Sequence, residues 1–142
     1  MQISYRECSG GARLAKMRHA RVPSVMRRLV EILVEEHGLS RVEVARRTGL
    51  SPAAVTRYLK GERGSALDVR GIEELDSRVR ELAREVASSS VSAPHLQAKV
   101  AGVAAHAMAK GYFCGFHAEL DPRFSPTTCS ACREVFRLSA SA

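Results

Sequence analysis

The chain has 142 residues, 45% of them apolar and 26% charged, which suits one compact domain or a small domain with an appended module. No apolar run is long enough to span a bilayer, and the opening "MQISYRECSGGARL" lacks the apolar core of a secretory signal. The expectation is a cytoplasmic protein in a reducing compartment, where four cysteines serve metal or redox chemistry more often than disulfides.

The formal charge of +7 is carried by one half: residues 1–70 hold fourteen Lys and Arg against seven Asp and Glu, and residues 71–142 hold eight of each. A polyanionic partner is expected there. Nucleic acid is favoured over an anionic membrane, because no basic amphipathic helix with a large apolar face stands out.

Residues 1–21 read as an N-terminal arm carrying Cys8. "VPSVMRRLVEILVEEHG" places Val25, Leu29, Ile32 and Leu33 at helical spacing between Pro23 and Gly38, and predicts an amphipathic helix. Residues 40–61 hold two short helices, one capped by Ser40 and one with Ser51 at the N-cap, Pro52 at the first helical position and Gly61 as the stop. A loop covers 65–71. "IEELDSRVRELAREVA" then sets Ile72, Leu75, Val79, Leu82 and Val86 in a narrow seam that either pairs with a second copy or packs on its own domain. "SSSVSAP" reads as a linker at 88–94. A last helix, roughly 95–110, faces inward with Leu96, Val100, Val103 and Ala107, and the cysteine segment after it reads as irregular or short-stranded. The expected class is all-α, a helical bundle with a small irregular C-terminal metal-binding module. Its parts are an arm (1–21), a DNA-binding domain (22–70), a dimerisation helix with linker (71–94) and a helix with the cysteine module (95–142).

The stretch from Arg41 to Lys60 has the pattern of a helix-turn-helix. Ala45 is small where the two helices cross, Gly49 supplies the turn four residues on, and Val55 packs back into the angle with Val44, Leu50 and Leu59. The second helix is then the one that enters the major groove. Its outward set is Ser51, Ala53, Ala54, Thr56, Arg57 and Lys60. Arg57 is the candidate for a bidentate contact to guanine, and Ala53, Ala54 and the Thr56 methyl suit thymine methyls. Lys60, Arg63, Arg41, Arg46 and Arg47 are expected on phosphates. For any one arginine the plainer alternative is a solvated surface charge.

Cys114-x2-His117, then Cys129-x2-Cys132 after eleven residues, makes two ligand pairs that complete a tetrahedral Cys3His zinc site. Cys8 opens an alternative in which Cys8, Cys114, Cys129 and Cys132 hold an iron–sulfur cluster and His117 stands aside. The cluster would tie the arm to the tail, and its loss would act as a redox switch.

"LVEEHGLSRVEVARRTGLSPAAVTRYLKGERGS" resembles the archaeal predicted transcriptional regulators with a helix-turn-helix of the Cro/C1 (XRE) type. Their Ala-Ala-Val-(Ser/Thr)-x-Tyr-Leu run and following Gly-x-Arg-Gly are here Ala53 to Leu59 and Gly61 to Gly64. The tail is also similar, with Cys-x2-His, Asp121-Pro122 and Cys-x2-Cys. The family's N-terminal cysteine would be Cys8, in Glu7-Cys8-Ser9 instead of Pro-Cys-Glu, and a further cysteine on the helix before the tail is missing. The resemblance implies sequence-specific binding of double-stranded DNA and a metal or cluster site, and it tips the cofactor toward iron–sulfur with zinc next. The resulting reading is a non-enzymatic transcriptional regulator acting as a homodimer, since one recognition helix reads too few base pairs to be selective. The alternatives are a zinc-knuckle adaptor of the transcription machinery and a nucleic-acid metalloenzyme. Glu119 and Asp121 are the only carboxylates between the two ligand pairs, and neither lies in a recognised catalytic motif.

Overall fold

The computed structural model describes residues 21–121, 123, 125 and 129–136, and among these it is all-helical, without a strand. The helices are α1 (Arg21–Glu35), α2 (Arg41–Thr48), α3 (Pro52–Leu59), α4 (Glu73–Ala87), α5 (Ala93–Ala109), α6 (Cys114–Leu120) and α7 (Ala131–Val135), with a 3-10 turn at Val69–Gly71. None is long and apolar enough to cross a membrane.

The wide apolar arc of α1 sets the architecture. Val25, Met26, Leu29, Val30, Ile32 and Leu33 are all buried, so the helix needs cover on several sides, and α2, α3, α4 and α5 pack around it. Arg28 lies in that same face at 4% exposure. Its Nε donates to Asp76 Oδ1 of α4 at 2.5 Å, with Glu31 at 3.6 Å and Glu36 at 3.8 Å from its terminal nitrogens. A charge can be buried there because carboxylates surround it.

The seam on α4 is consumed inside the chain. Leu75, Val79, Leu82 and Val86 are buried with Ala83, and α4 packs on both α1 and α5. Of the two readings of that seam, packing on its own domain is the one observed. Glu73, Glu74 and Asp76 in the first turn of α4 favour the positive end of its dipole.

The serine run is likewise no linker. Ser90 N–H donates to Glu85 O and Ser89 N–H to Val86 O, closing the end of α4, while Ser92 Oγ accepts from His95 N–H and caps α5. The serines satisfy helix ends that would otherwise be left open, and α4 turns directly back as α5. Leu96, Val100, Val103, Ala104, Ala107 and Met108 of α5 join a core that runs continuously from Val25 to Phe113. The boundaries expected at 71, 94 and 95 therefore do not separate cores. His106 and Tyr112 both bind the Glu74 carboxylate, fastening the end of α5 to the start of α4.

Candidate nucleic-acid interface and cysteine module

Two caps position the helix-turn-helix. Ser40 Oγ accepts from Glu43 N–H at 3.2 Å to start α2, and Ser51 Oγ accepts from Ala54 N–H at 3.1 Å to start α3, where Pro52 needs no partner for a missing N–H. Gly49 sits between them at φ +78°, and the place of a β-carbon on it is 3.3 Å from Ala93 Cβ of α5. Val44 and Val55 are fully buried in the angle, with Ala45 between the helices and Tyr58 at its edge.

On α3, Ser51, Ala53 and Arg57 face solvent, followed by Lys60 and Arg63. Arg57, Lys60 and Arg63 make no ion pair among the described residues. Arg63 lies close enough to Tyr58 to act on its hydroxyl, whose ionisation burial pushes above the usual value while Arg63 opposes it. Thr56 is half-buried, and its Oγ1 accepts from Arg41 Nη1 at 3.4 Å across the two helices.

Two residues depart from the expected outward set. Ala54 is 9% exposed and turned inward, because the buried arc of α3 is Ala54, Val55 and Tyr58. Arg47 is turned to the end of α4. Its Nε donates to Glu43 at 2.6 Å, and Nη1 donates to Val86 O at 3.0 Å and Ala87 O at 2.6 Å, where the last carbonyls of α4 need donors. Arg46 is exposed, yet it clasps Glu43 through Nε at 3.0 Å and Nη2 at 2.5 Å. Hydrogen bonds from Arg46 and then Arg47 hold the Glu43 carboxyl down to about 2. Glu43 thus offsets charge that the spacing alone would give to phosphates. The i+3 and i+4 spacings to Arg46 and Arg47 carry that signal in the sequence.

The cysteine pairs are not knuckles on tight turns. Cys114 and His117 lie one turn apart on α6, so both side chains fall on its inner face, and both are buried at 7% exposure. Cys129 and Cys132 flank the start of α7, which packs on α5. Cys132 and Phe136 rest against the main core, and Arg133 covers Gly111. All three cysteines are free thiols. Burial pushes the Cys132 thiol up, nearby Arg21 opposes this, and Cys114 and Cys129 add to the rise. Burial holds the His117 imidazole below its ordinary value, and Arg21 acts in the same direction.

Three soft thiols and a neutral imidazole are the donor chemistry of zinc, and the buried Nε2 of His117 has no hydrogen-bond partner. That orphaned atom fits a ligand with an open coordination demand. Among the described residues no three His, Cys, Asp or Glu side chains close into a ligand shell. Cys8, the fourth ligand under the cluster reading, lies outside the described residues. A residue that sequence reasoning missed is Gln97, whose Nε2 donates to Thr48 O at 3.3 Å behind the turn of the helix-turn-helix.

In comparison with known proteins, residues 11–80 match the family model described as a helix-turn-helix domain, a span that takes in α1 to α3 and the first half of α4. No curated protein and no solved structure matched the chain. Residues 11–80 are thus similar to a helix-turn-helix domain.

Proposed function

We propose that this protein is a sequence-specific DNA-binding transcriptional regulator, working as a homodimer on a two-fold-related site, whose cysteine module holds a structural or sensing metal. The observation that carries the reading is the outer face of α3. Ser51, Ala53 and Arg57, with Lys60 and Arg63 beyond, stand exposed on a helix locked from behind by Val55 and Tyr58, and the cations make no ion pair among the described residues.

Placed in the major groove, Arg57 offers its fork to guanine O6 and N7, and the Ala53 methyl suits a thymine methyl. Lys60, Arg63 and Arg41 are exposed on and beside α3 and suit the flanking phosphates. Arg46 contributes only by giving up its clasp on Glu43. Because the α4 seam is already filled, the two-fold contact belongs to another surface.

The test is competition binding on a duplex selected from a random pool. Arg57→Ala should weaken that site by about 1–3 kcal/mol, roughly 5- to 150-fold, and relax selectivity at one base pair. Lys60→Ala should weaken all sequences alike and reduce the salt slope by about one. Equal binding of every duplex by the wild type, with Arg57→Ala unchanged, would end the base-reading role of α3. Steady turnover of a nucleic-acid substrate would favour the metalloenzyme alternative.

For the module, the orphaned His117 Nε2 supports zinc held by Cys114, His117, Cys129 and Cys132 over the cluster with Cys8. A bound zinc would supply a cross-link between α6 and α7, fixing both on the end of α5. Protein purified without air should be colourless and carry one equivalent of zinc, lost in His117→Ala and kept in Cys8→Ser. A brown protein that bleaches in Cys8→Ser would reverse the assignment in favour of iron–sulfur.

A further inference from the structure

Ser40 and Glu43 have the spacing of a capping box, in which a glutamate at the third helical position reaches back to the N–H of the capping residue. Among the described residues only the first half of that exchange is made: Ser40 Oγ accepts from Glu43 N–H at 3.2 Å, and the Glu43 carboxylate is turned forward along α2. Its Oε2 accepts from Arg46 Nε at 3.0 Å and its Oε1 from Arg46 Nη2 at 2.5 Å, a two-pronged clasp, while Oε1 also accepts from Arg47 Nε at 2.6 Å.

The two arginines differ in what else they hold. Arg47 is half-buried and has Val86 O and Ala87 O as further acceptors. The Arg46 side chain is 67% exposed, and Glu43 is its one partner among the described residues. It stands one turn beyond Val42 on the exposed side of α2, the helix whose first residue, Arg41, reaches Thr56 of α3. The planar fork that clasps Glu43 is the one that binds a phosphate.

We propose that Glu43 limits the DNA affinity of the motif, standing in for a phosphate and withholding Arg46 from the backbone of the duplex. The inference rests on the DNA-binding reading above. Arg46 gains a phosphate only by giving up one charge-assisted pair for another, and the exchange leaves Glu43 bare beside phosphates that repel it. The carboxyl is held down to about 2, so the counter-charge persists wherever DNA binding is measured. Glutamine at this position keeps an oxygen for Arg47 Nε but has no charge to hold Arg46. Phosphate contacts carry no sequence information, so the limit acts on all duplexes alike.

The test is equilibrium binding of the full chain to a random-sequence duplex and to the selected one, in salt from 50 to 200 mM. Glu43→Gln should bind both about threefold more tightly than wild type at 50 mM, with a salt slope steeper by about 0.9, the value of one added phosphate contact. The advantage should vanish by 200 mM, since one contact changes binding about 3.5-fold over that range. Glu43→Gln combined with Arg46→Ala should lose the gain. Glu81→Gln removes the same charge from an exposed site on α4 and should leave the slope unchanged. Glu43→Ala should repeat the steeper slope, which guards against a folding defect in Glu43→Gln, with far-ultraviolet circular dichroism as control. An unchanged slope in Glu43→Gln and Glu43→Ala, a gain that survives Arg46→Ala, or an equal gain in Glu81→Gln would overturn the role of Glu43 and leave DNA binding standing. A wild type that binds neither duplex would overturn the DNA-binding reading, and this inference with it.

Discussion

Arg28→Ala is expected to lower the unfolding free energy by about 3 kcal/mol, near the low end of the range for breaking a buried ion pair. The side chain is 4% exposed and sits between Asp76 of α4 and Glu31 on its own helix, so its removal leaves two partly buried carboxylates facing an emptied site. The low end applies because Arg80 Nε still serves Asp76 Oδ2 at 2.9 Å. Urea unfolding followed by circular dichroism measures the change. Arg28→Met, which refills the volume without the charge, should recover the packing share only.

The same pair sets an acid dependence. Burial pushes the Asp76 carboxyl up, but the hydrogen bonds from Arg28 and Arg80 and their charges outweigh it, and the folded value lies below the ordinary one. A depressed carboxylate contributes stability that is fully present above its unfolded value, about 4, and is lost as the pH falls through the folded one. Wild type should therefore lose stability on acidification below about pH 4, and Arg28→Ala should lose less over that interval. An unchanged acid slope in Arg28→Ala would mean that Asp76 does not depend on this partner.

Arg28 also marks where the sequence stops being legible. The apolar period of α1, the caps at Ser40 and Ser51 and the inward face of α5 are local patterns, and they appear where spacing puts them. A charge inside an apolar face is explained only by a partner 48 residues away, which no local pattern contains. Arg47 was misplaced for the same reason, its acceptors lying 39 and 40 residues on. The serine run failed differently. Composition marks Ser88 to Ser92 as a linker, whereas their hydroxyls and amides close two helix ends. Ala54 carries only a methyl group, which spacing alone assigns to either face, and the buried arc of α3 is Ala54, Val55 and Tyr58.

These long-range contacts place the two candidate sites at opposite ends of α5. α5 runs for seventeen residues, about 25 Å. At its start Ala93 meets Gly49 and Gln97 bonds Thr48, so it backs the turn of the helix-turn-helix. At its far end it carries α7 and the cysteine pairs, with Gly111 under Arg133. α5 also packs on α1 and α4, so one helix supports both regions from behind.

Gly64→Ala is the second large effect, expected to destabilise the fold by roughly 2–5 kcal/mol, the sum of a left-handed backbone penalty and overpacking. Gly64 has φ +76°, and a β-carbon there would lie 2.3 Å from Pro23 O and 2.7 Å from Arg27 Cβ. Neither atom is the free end of a flexible side chain, so the loop after α3 or the first turns of α1 must move. Gly38→Ala provides the comparison: φ is +67° with no atom within 4 Å of the added carbon, so it carries the backbone penalty alone, about 1–2 kcal/mol. The difference between the two variants measures the clash. Because Arg63 precedes Gly64 and stands exposed after α3, Gly64→Ala should also weaken the proposed DNA binding at temperatures where it remains folded, while Gly38→Ala should not. Equal stability losses in the two variants would show that the loop yields freely, and that the close approach of residues 61–64 to α1 does not hold α3 in place.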